Sequence, residues 1–301
     1  MLQIQNDFAD VQEEIAQIEK SISQQIKILE RVSGCTNDNF IVQILDQKYL
    51  LRRYLKREEI FMRDQDKEIQ ILQYLISQNC QVVTEELIHF DAFFITKYIE
   101  GSLLEQDSLL GQADNLIQIA TAFQKLHQHQ IGQKPSLFDY IPAFYQHQWY
   151  YEQDKETFDN FVNFITQQIN FYKTAYPHLL KVCICHNDAH AGNIIFNNNQ
   201  AYFIDFEYAS VSYNFYDIAC FFAEFTGIDA IYADYATLEQ RTIFYKTYFT
   251  ENVDITICEE ILAIFQPFVW GLWSLWGSKA GYELYAKNRL QIFKIYFEQL
   301  K

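Results

Sequence analysis

Apolar residues recur along this chain with two different periods, and the alternation between them divides it into parts. Ile15, Ile18, Ile22 and Ile26 fall three and four positions apart, which predicts an amphipathic helix over residues 10–28. Residues 29–33, 40–45 and 48–54 are short apolar stretches that predict three strands, joined by a loop over 34–39 and a turn at Asp46-Gln47. The helical period returns over 58–77 through Ile60, Ile69, Leu72 and Leu75, and two more strands are expected over 81–89 and 92–99. After Glu100-Gly101 the pattern is helical almost to the end, interrupted only over 182–206. There, Val182 to Cys185 predicts a buried strand and Asn197 to Asn199 the turn of a hairpin with arms at 193–196 and 201–206.

That interruption carries the chemistry. It contains His186-x-Asp188-x4-Asn193 and then Ile204-Asp205-Phe206-Glu207. A nucleoside triphosphate on magnesium needs oxygen ligands from the protein and a carboxylate that orients the acceptor hydroxyl. Asn193 and Asp205, brought near each other by the hairpin, are the candidate metal ligands, and Asp188 is the candidate base. The motif resembles the catalytic loop and metal-binding segment of protein kinases, with Asp-Phe-Glu in place of Asp-Phe-Gly, which points to the small-molecule kinases that share the fold.

On that resemblance the order of elements reads as an α+β, two-lobed, protein-kinase-like fold. A small antiparallel-sheet lobe is expected over residues 1–98, a hinge over 99–101 and a larger, mostly helical lobe over 102–301. The connector Tyr98-Ile99-Glu100-Gly101 is where that fold offers backbone groups to an adenine ring, which makes Ile99 a candidate contact. The loop from Ser33 to Asn39, with Thr36 and Asn37, can aim N–H groups at phosphate oxygens, although a plain hairpin turn would read the same. Arg52 stands where a kinase keeps a cation for the phosphates, and Glu68 on the following helix is its candidate partner. Ordinary surface charges are the plainer reading of that pair. Arg53 should face the other side of its strand.

Composition narrows the partners. A net charge of -16 argues against a nucleic-acid partner and suits a cationic substrate. No uninterrupted apolar run approaches 18 residues, and Met1 to Lys20 lacks the pattern of a signal peptide, so a soluble, cytoplasmic protein without membrane insertion is expected. The six cysteines lie in mostly apolar contexts and are expected to be reduced and buried, with no zinc site and no disulfide framework. The apolar face of the first helix is expected to cover its own lobe, and the pattern is compatible with a monomer and with a homodimer.

Residues 269–285 hold Trp270, Trp273 and Trp276, three of the four tryptophans, at helical spacing. Such rings hold a quaternary ammonium well, while a packed core helix is the plainer reading. Tyr208 directly follows the metal motif, and Asp217 and Glu224 are expected to line the acceptor side. With these residues the chain resembles the choline/ethanolamine kinases, within the aminoglycoside-phosphotransferase-like branch of the kinase fold, over roughly residues 30–297. The most specific parts are Asp205-Phe206-Glu207-Tyr208 and Trp270-Gly271-Leu272-Trp273-Ser274.

The resemblance implies ATP and Mg2+ as cofactors and a small cationic amino alcohol as substrate. It implies that Asp188 is the base on the hydroxyl, that Asn193 and Asp205 hold magnesium, and that Arg52 contacts phosphate. Tyr208, Trp270, Trp273 and Tyr285 would form an ammonium cage, with Glu224 as counter-charge. Choline is the implied acceptor, ethanolamine the nearest alternative, and thiamine or an aminoglycoside more distant ones; an inactive nucleotide- or amine-binding protein is the reading outside enzymes. Two departures stand out: Ala189-His190-Ala191 replaces the family's usual residues, and Gly281-Tyr282 follows the tryptophan helix after a shortened stretch.

Overall fold

The computed structural model describes residues 8–32, 37–55, 63–90, 93–104, 107–132, 135–136, 139 and 155–299. Its contacts divide the chain into two units, Met1–Arg57 with Thr84–Ile99, and Glu58–Val83 with Glu100–Lys301.

In the first unit, β1 (Ile26–Val32), β2 (Asn37–Ile44), β3 (Gln47–Tyr54), β4 (Leu87–Phe90) and β5 (Phe93–Lys97) form one antiparallel sheet in the order β1-β2-β3-β5-β4. Alternation along the strands sends Phe40, Val42, Ile44, Leu51, Phe93 and Ile95 to one face, where they pack with Val11, Ile15 and Ile18 of the amino-terminal helical segment. That segment ends in α1 (Gln12–Ile22), so its apolar stripe is spent on its own sheet. The helix is shorter than the expected 10–28. Ser23 turns left-handed (φ 56°) and its N–H bonds back to Glu19, so Ile26 opens β1 instead of extending the helical stripe. Arg53 faces the helix side, where it pairs with Asp38 at 2.5 Å and Asp10 at 2.8 Å.

Three further boundaries differ from expectation. β2 begins at Asn37 and pairs Asn37 with Tyr54 and Asn39 with Arg52, so the ladder consumes the second half of the expected 34–39 loop. The turn falls at Leu45-Asp46, with Leu45 at φ 52°, and residues 81–86 are turn and coil rather than strand.

In the second unit, α2 (Gln65–Ser77) is capped by the Asp64 side chain, which accepts from Lys67 N–H at 3.0 Å, and buries Ile69, Ile71, Leu72 and Leu75. The expected start of this helix near residue 58 lies outside the described residues. β6 (Ser102–Leu103), β8 (Ile194–Asn197) and β9 (Gln200–Phe203) form a three-stranded sheet, and β7 (Val182–Cys185) pairs with β10 (Ser210–Tyr213). At Gly101 (φ 150°) an added Cβ would stand 2.5 Å from the Phe196 carbonyl oxygen, so the approach of β6 to β8 requires glycine. Asn198 and Asn199, both left-handed (φ 48° and 60°), close the β8-β9 hairpin as the two-residue turn that strand twist favours.

The remaining helices are α3 (Ala113–Leu126), α4 (Lys155–Ala175), α5 (Asn214–Ala223), α6 (Leu238–Tyr248), α7 (Ile255–Ala280) and α8 (Glu283–Gln299). By length and composition α7 could cross a membrane, but two-thirds of its apolar window is buried, and it packs against α5 and α8. Asp254 caps its start and left-handed Gly281 (φ 85°) ends it.

Candidate active site

The loop from β7 to β8 is held from below by one carboxylate. Asp217, on the first turn of α5 and fully buried, accepts from the backbone N–H of His186 at 2.6 Å and of Asn187 at 2.7 Å, and meets His127 Nε2 at 3.0 Å. His127 Nδ1 in turn meets the Tyr248 hydroxyl at 2.7 Å. Asp217 therefore does not line the acceptor side, as its helical position suggested; it faces inward and clamps the chain just before Asp188. Asn187 is left-handed (φ 67°), and its side-chain amide donates to Tyr208 O at 2.8 Å and Ser210 Oγ at 3.0 Å.

His186 adds a second brace. Its Nδ1 accepts from Asp188 N–H at 3.2 Å and its Nε2 lies 2.8 Å from Ile204 O, so one ring bridges the loop carrying Asp188 and the strand end carrying Asp205. Burial holds its pKa below the ordinary imidazole value, which fits a neutral ring with Nε2 protonated. His190 caps the short turn Ala191–Asn193 by accepting from Gly192 N–H at 3.0 Å, which gives the unusual Ala189-His190-Ala191 sequence a local role.

The hairpin brings Asn193 and Asp205 close, but its arms are Ile194–Asn197 and Gln200–Phe203 rather than the expected 193–196 and 201–206, so both residues stand just outside the ladder. β8 and β9 pair as far as Ile194 with Phe203, and Ile204 N–H donates to Asn193 O at 3.0 Å, so the two candidate ligands leave the ladder at adjacent positions. Asp205 is left-handed (φ 64°), a conformation that costs non-glycine residues roughly 1 kcal/mol or more and gathers at functional sites. Asn193 Nδ2 donates to Asp188 O at 2.9 Å and Asp188 Oδ2 at 3.1 Å, which turns its amide oxygen away from Asp188. Burial, with the carboxylates of Glu224, Asp205 and Glu207 nearby, pushes the Asp188 carboxyl well above the usual range, and Arg289 pulls it back. Four carboxylates thus share one neighbourhood. Two have cationic partners that the sequence pattern did not suggest: Arg63 lies 3.1 Å from Glu207, and Arg289 lies 2.8 Å from Glu224.

Three of the expected cage residues, Tyr208, Trp273 and Tyr285, pack in one group with Trp276 and Tyr282. Tyr208 and Trp273 meet edge to face at 5.2 Å, Trp276 donates its indole N–H to the Tyr208 hydroxyl at 2.8 Å, and Trp276 also meets Tyr285 at 5.9 Å and stacks on Tyr282 at 5.4 Å. Trp270 is fully buried, and its ring meets Arg289, Tyr232 and Tyr235. A helix stripe shows which residues share a face, and the packing of α8 on α7 gives one end of that face to Arg289. Arg289 sits four positions after Tyr285, a spacing that would have marked it as its neighbour.

In the first unit, Arg52 is buried on β3, with its Nε 3.2 Å from Asn39 Oδ1 and its guanidinium over the Phe94 ring at 5.0 Å. Asn37 is buried at the start of β2, and Ile99 is half-buried after β5. Thr36 lies outside the described residues. Glu68 is buried on α2 in the second unit.

A family model described as Choline/ethanolamine kinase matches residues 8–294. Probable ethanolamine kinase B of Dictyostelium discoideum is 40% identical over 79 residues, which are 26% of this chain and 17% of that protein. Choline/ethanolamine kinase of Rattus norvegicus is 32% identical over 153 residues, covering 39% of this chain and 38% of that protein. The chain thus spans well under two-thirds of the length of these curated relatives. The solved Plasmodium vivax ethanolamine kinase matches with a TM-score of 0.72 at 19% identity, over 93% of this chain and 84% of that one. That likeness gives this chain the kinase-like α+β fold.

Proposed function

Because the chain belongs to the choline/ethanolamine kinase family, we propose that it phosphorylates choline to phosphocholine with ATP and Mg2+, ethanolamine being the alternative acceptor. The observation that carries this reading is the meeting, within one unit, of the Asp188, Asn193 and Asp205 constellation with the rings of Tyr208, Trp273, Trp276 and Tyr285. Burial raises the pKa of both tyrosines, and Asp188 is among the charges acting on each, which ties the rings to the carboxylate neighbourhood.

The donor set fits a hard cation: the Asn193 amide oxygen and the Asp205 carboxylate would hold magnesium, and the excess of carboxylates demands positive charge. When bound, magnesium neutralises charge on the transferring phosphoryl group. Asp188, fixed by Asn193 Nδ2 and by the Asp217 clamp, orients the acceptor hydroxyl and receives its proton as the oxygen bonds to phosphorus and ADP departs. The rings of Tyr208, Trp273, Trp276 and Tyr285 replace water around the ammonium, and Glu224 supplies its counter-charge.

Residues 1–98 would serve as the nucleotide lobe, 99–101 as hinge and 102–301 as catalytic lobe. Arg52, Asn37, Thr36, Ile99 and Glu68 are the proposed nucleotide residues; the buried, ring-stacked guanidinium of Arg52 supports its part. A cytoplasmic setting accords with five free, buried cysteines among the described residues.

The test is a magnesium-dependent ADP-release assay, first without acceptor and then with choline, ethanolamine, thiamine and an aminoglycoside in turn. Choline should give the highest kcat/KM, and Asp188→Ala should abolish turnover while nucleotide still binds. Release that no amine stimulates would end this reading.

A further inference from the structure

Two cysteine sulfurs that take no part in the proposed chemistry lie beside a histidine in the second unit. Cys183 and Cys185 stand two positions apart on β7, so both side chains leave the same face of the strand, and their sulfurs are 3.7 Å apart. A ring nitrogen of His127 lies with them, the three atoms all within 4.8 Å of one another. All three residues are buried, the cysteines fully. His127 directly follows α3, so packing and not sequence spacing assembles the group. The sulfur separation suits one shared ion. Two sulfurs each about 2.3 Å from a tetrahedral zinc stand about 3.8 Å apart, whereas a disulfide would need about 2.0 Å. Cys185 otherwise gives its thiol proton to the Tyr213 carbonyl at 3.5 Å, a weak bond that an ion would replace.

His127 is oriented as a metal-bound histidine would be. Asp217 Oδ2, 3.0 Å from Nε2, can only accept, so Nε2 carries the proton and the neutral ring keeps its lone pair on Nδ1. A carboxylate on the second nitrogen is the usual support of such a ligand. The Tyr248 hydroxyl, 2.7 Å from Nδ1, offers an oxygen for a fourth position. Binding leaves the charge of this buried group unchanged, because the two thiols release one proton each as one divalent ion enters. Access comes from a cavity of about 720 Å3 that His127 and Tyr248 help to line. We propose that Cys183, Cys185 and His127 form a structural zinc site, completed by Tyr248, which ties β7 to α3 and α6 just ahead of the loop carrying Asp188. Thiolates and imidazole suit this borderline-soft ion, while the oxygens of Asn193 and Asp205 suit magnesium, so ligand chemistry sorts the two. The site stands whatever hydroxyl the protein phosphorylates, because neither sulfur enters that reaction.

The full chain is produced with zinc in the medium, so that the ion is present as it folds, then desalted in reducing buffer containing Mg2+, and its metal content is measured. The wild type should carry about one zinc per chain, and Cys183→Ala and Cys185→Ala about tenfold less. Asp205→Asn, changed at the proposed magnesium oxygens, should keep its zinc, which separates this ion from one held by the active-site carboxylates. Protein produced with cobalt instead should show a sulfur-to-metal charge-transfer band that the cysteine variants lose. That band reads thiolate ligation in the wild type alone, so it decides the matter even where an alanine variant fails to fold. Wild type with less than about half a zinc per chain overturns the inference, as do folded cysteine variants that keep the ion and cobalt protein without the sulfur band. None of these readouts depends on turnover, so the proposed function stands or falls separately.

Discussion

Asp217→Asn is the most informative single substitution, because it is nearly isosteric and touches the site only through backbone. Asp217 accepts from two backbone amides, at 2.6 and 2.7 Å, and meets His127 at 3.0 Å, all without solvent. An asparagine offers one oxygen, so whichever way it turns, an N–H group faces another donor and the charge is gone. Losing one charge-assisted bond and stranding one buried N–H costs about 3–5 kcal/mol together. For a unit of this size that is a fall in melting temperature of roughly 10 °C. The same substitution releases the chain just before Asp188, and a displacement of about 1 Å in a reacting group can lower turnover around 100-fold. Thermal melts of wild type and variant read the first effect, and kcat under saturating nucleotide and amine reads the second. A variant that melts within about 2 °C of wild type would show that Asp217 carries no such load. A variant that melts early yet keeps full kcat would show that the clamp does not position Asp188.

Asp188→Asn should do the reverse, abolishing turnover without lowering the melting temperature at neutral pH. Its carboxyl is pushed up in the fold, so the stabilisation from its protonation is present at low pH and lost as pH rises through the raised pKa; melts across pH should show the wild type gaining on the variant as pH falls. Trp276→Phe removes the indole N–H held on the Tyr208 hydroxyl and should raise the amine KM by about three- to tenfold with little change in kcat, and an unmoved KM would take Trp276 out of the site. Chelation by EDTA should stop turnover and added Mg2+ restore it; activity that survives chelation would remove Asn193 and Asp205 as metal ligands.

Much of the fold and the order of the candidate site were legible because they depend on short stretches of chain. The hairpin that brings Asn193 beside Asp205 follows from Asn198-Asn199, residues that tolerate the left-handed turn, between two apolar strands. The amphipathic stripe of α1 and the alternation of β2 likewise fixed which faces would meet in the first unit, although the end of α1 turned on the backbone of Ser23 and not on hydrophobicity. Strand starts such as Asn37 were less visible, because pairing with β3 extends a ladder into residues that read as a turn by themselves.

Sequence alone therefore determined which polar groups the loop offers: an Asp, an Asn and a second Asp at spacings that a turn and a hairpin bring together. Tertiary structure decided what surrounds it. Asp217 lies on α5 and Glu224 directly after it, yet one turns inward to hold backbone amides and the other meets an arginine 65 residues away. Trp270 and Trp273 share a stripe, yet one packs against Tyr232 and Tyr235 and the other against Tyr208. Helical periodicity tells which side chains point the same way, and only the packing of α5, α7 and α8 tells what each of them meets.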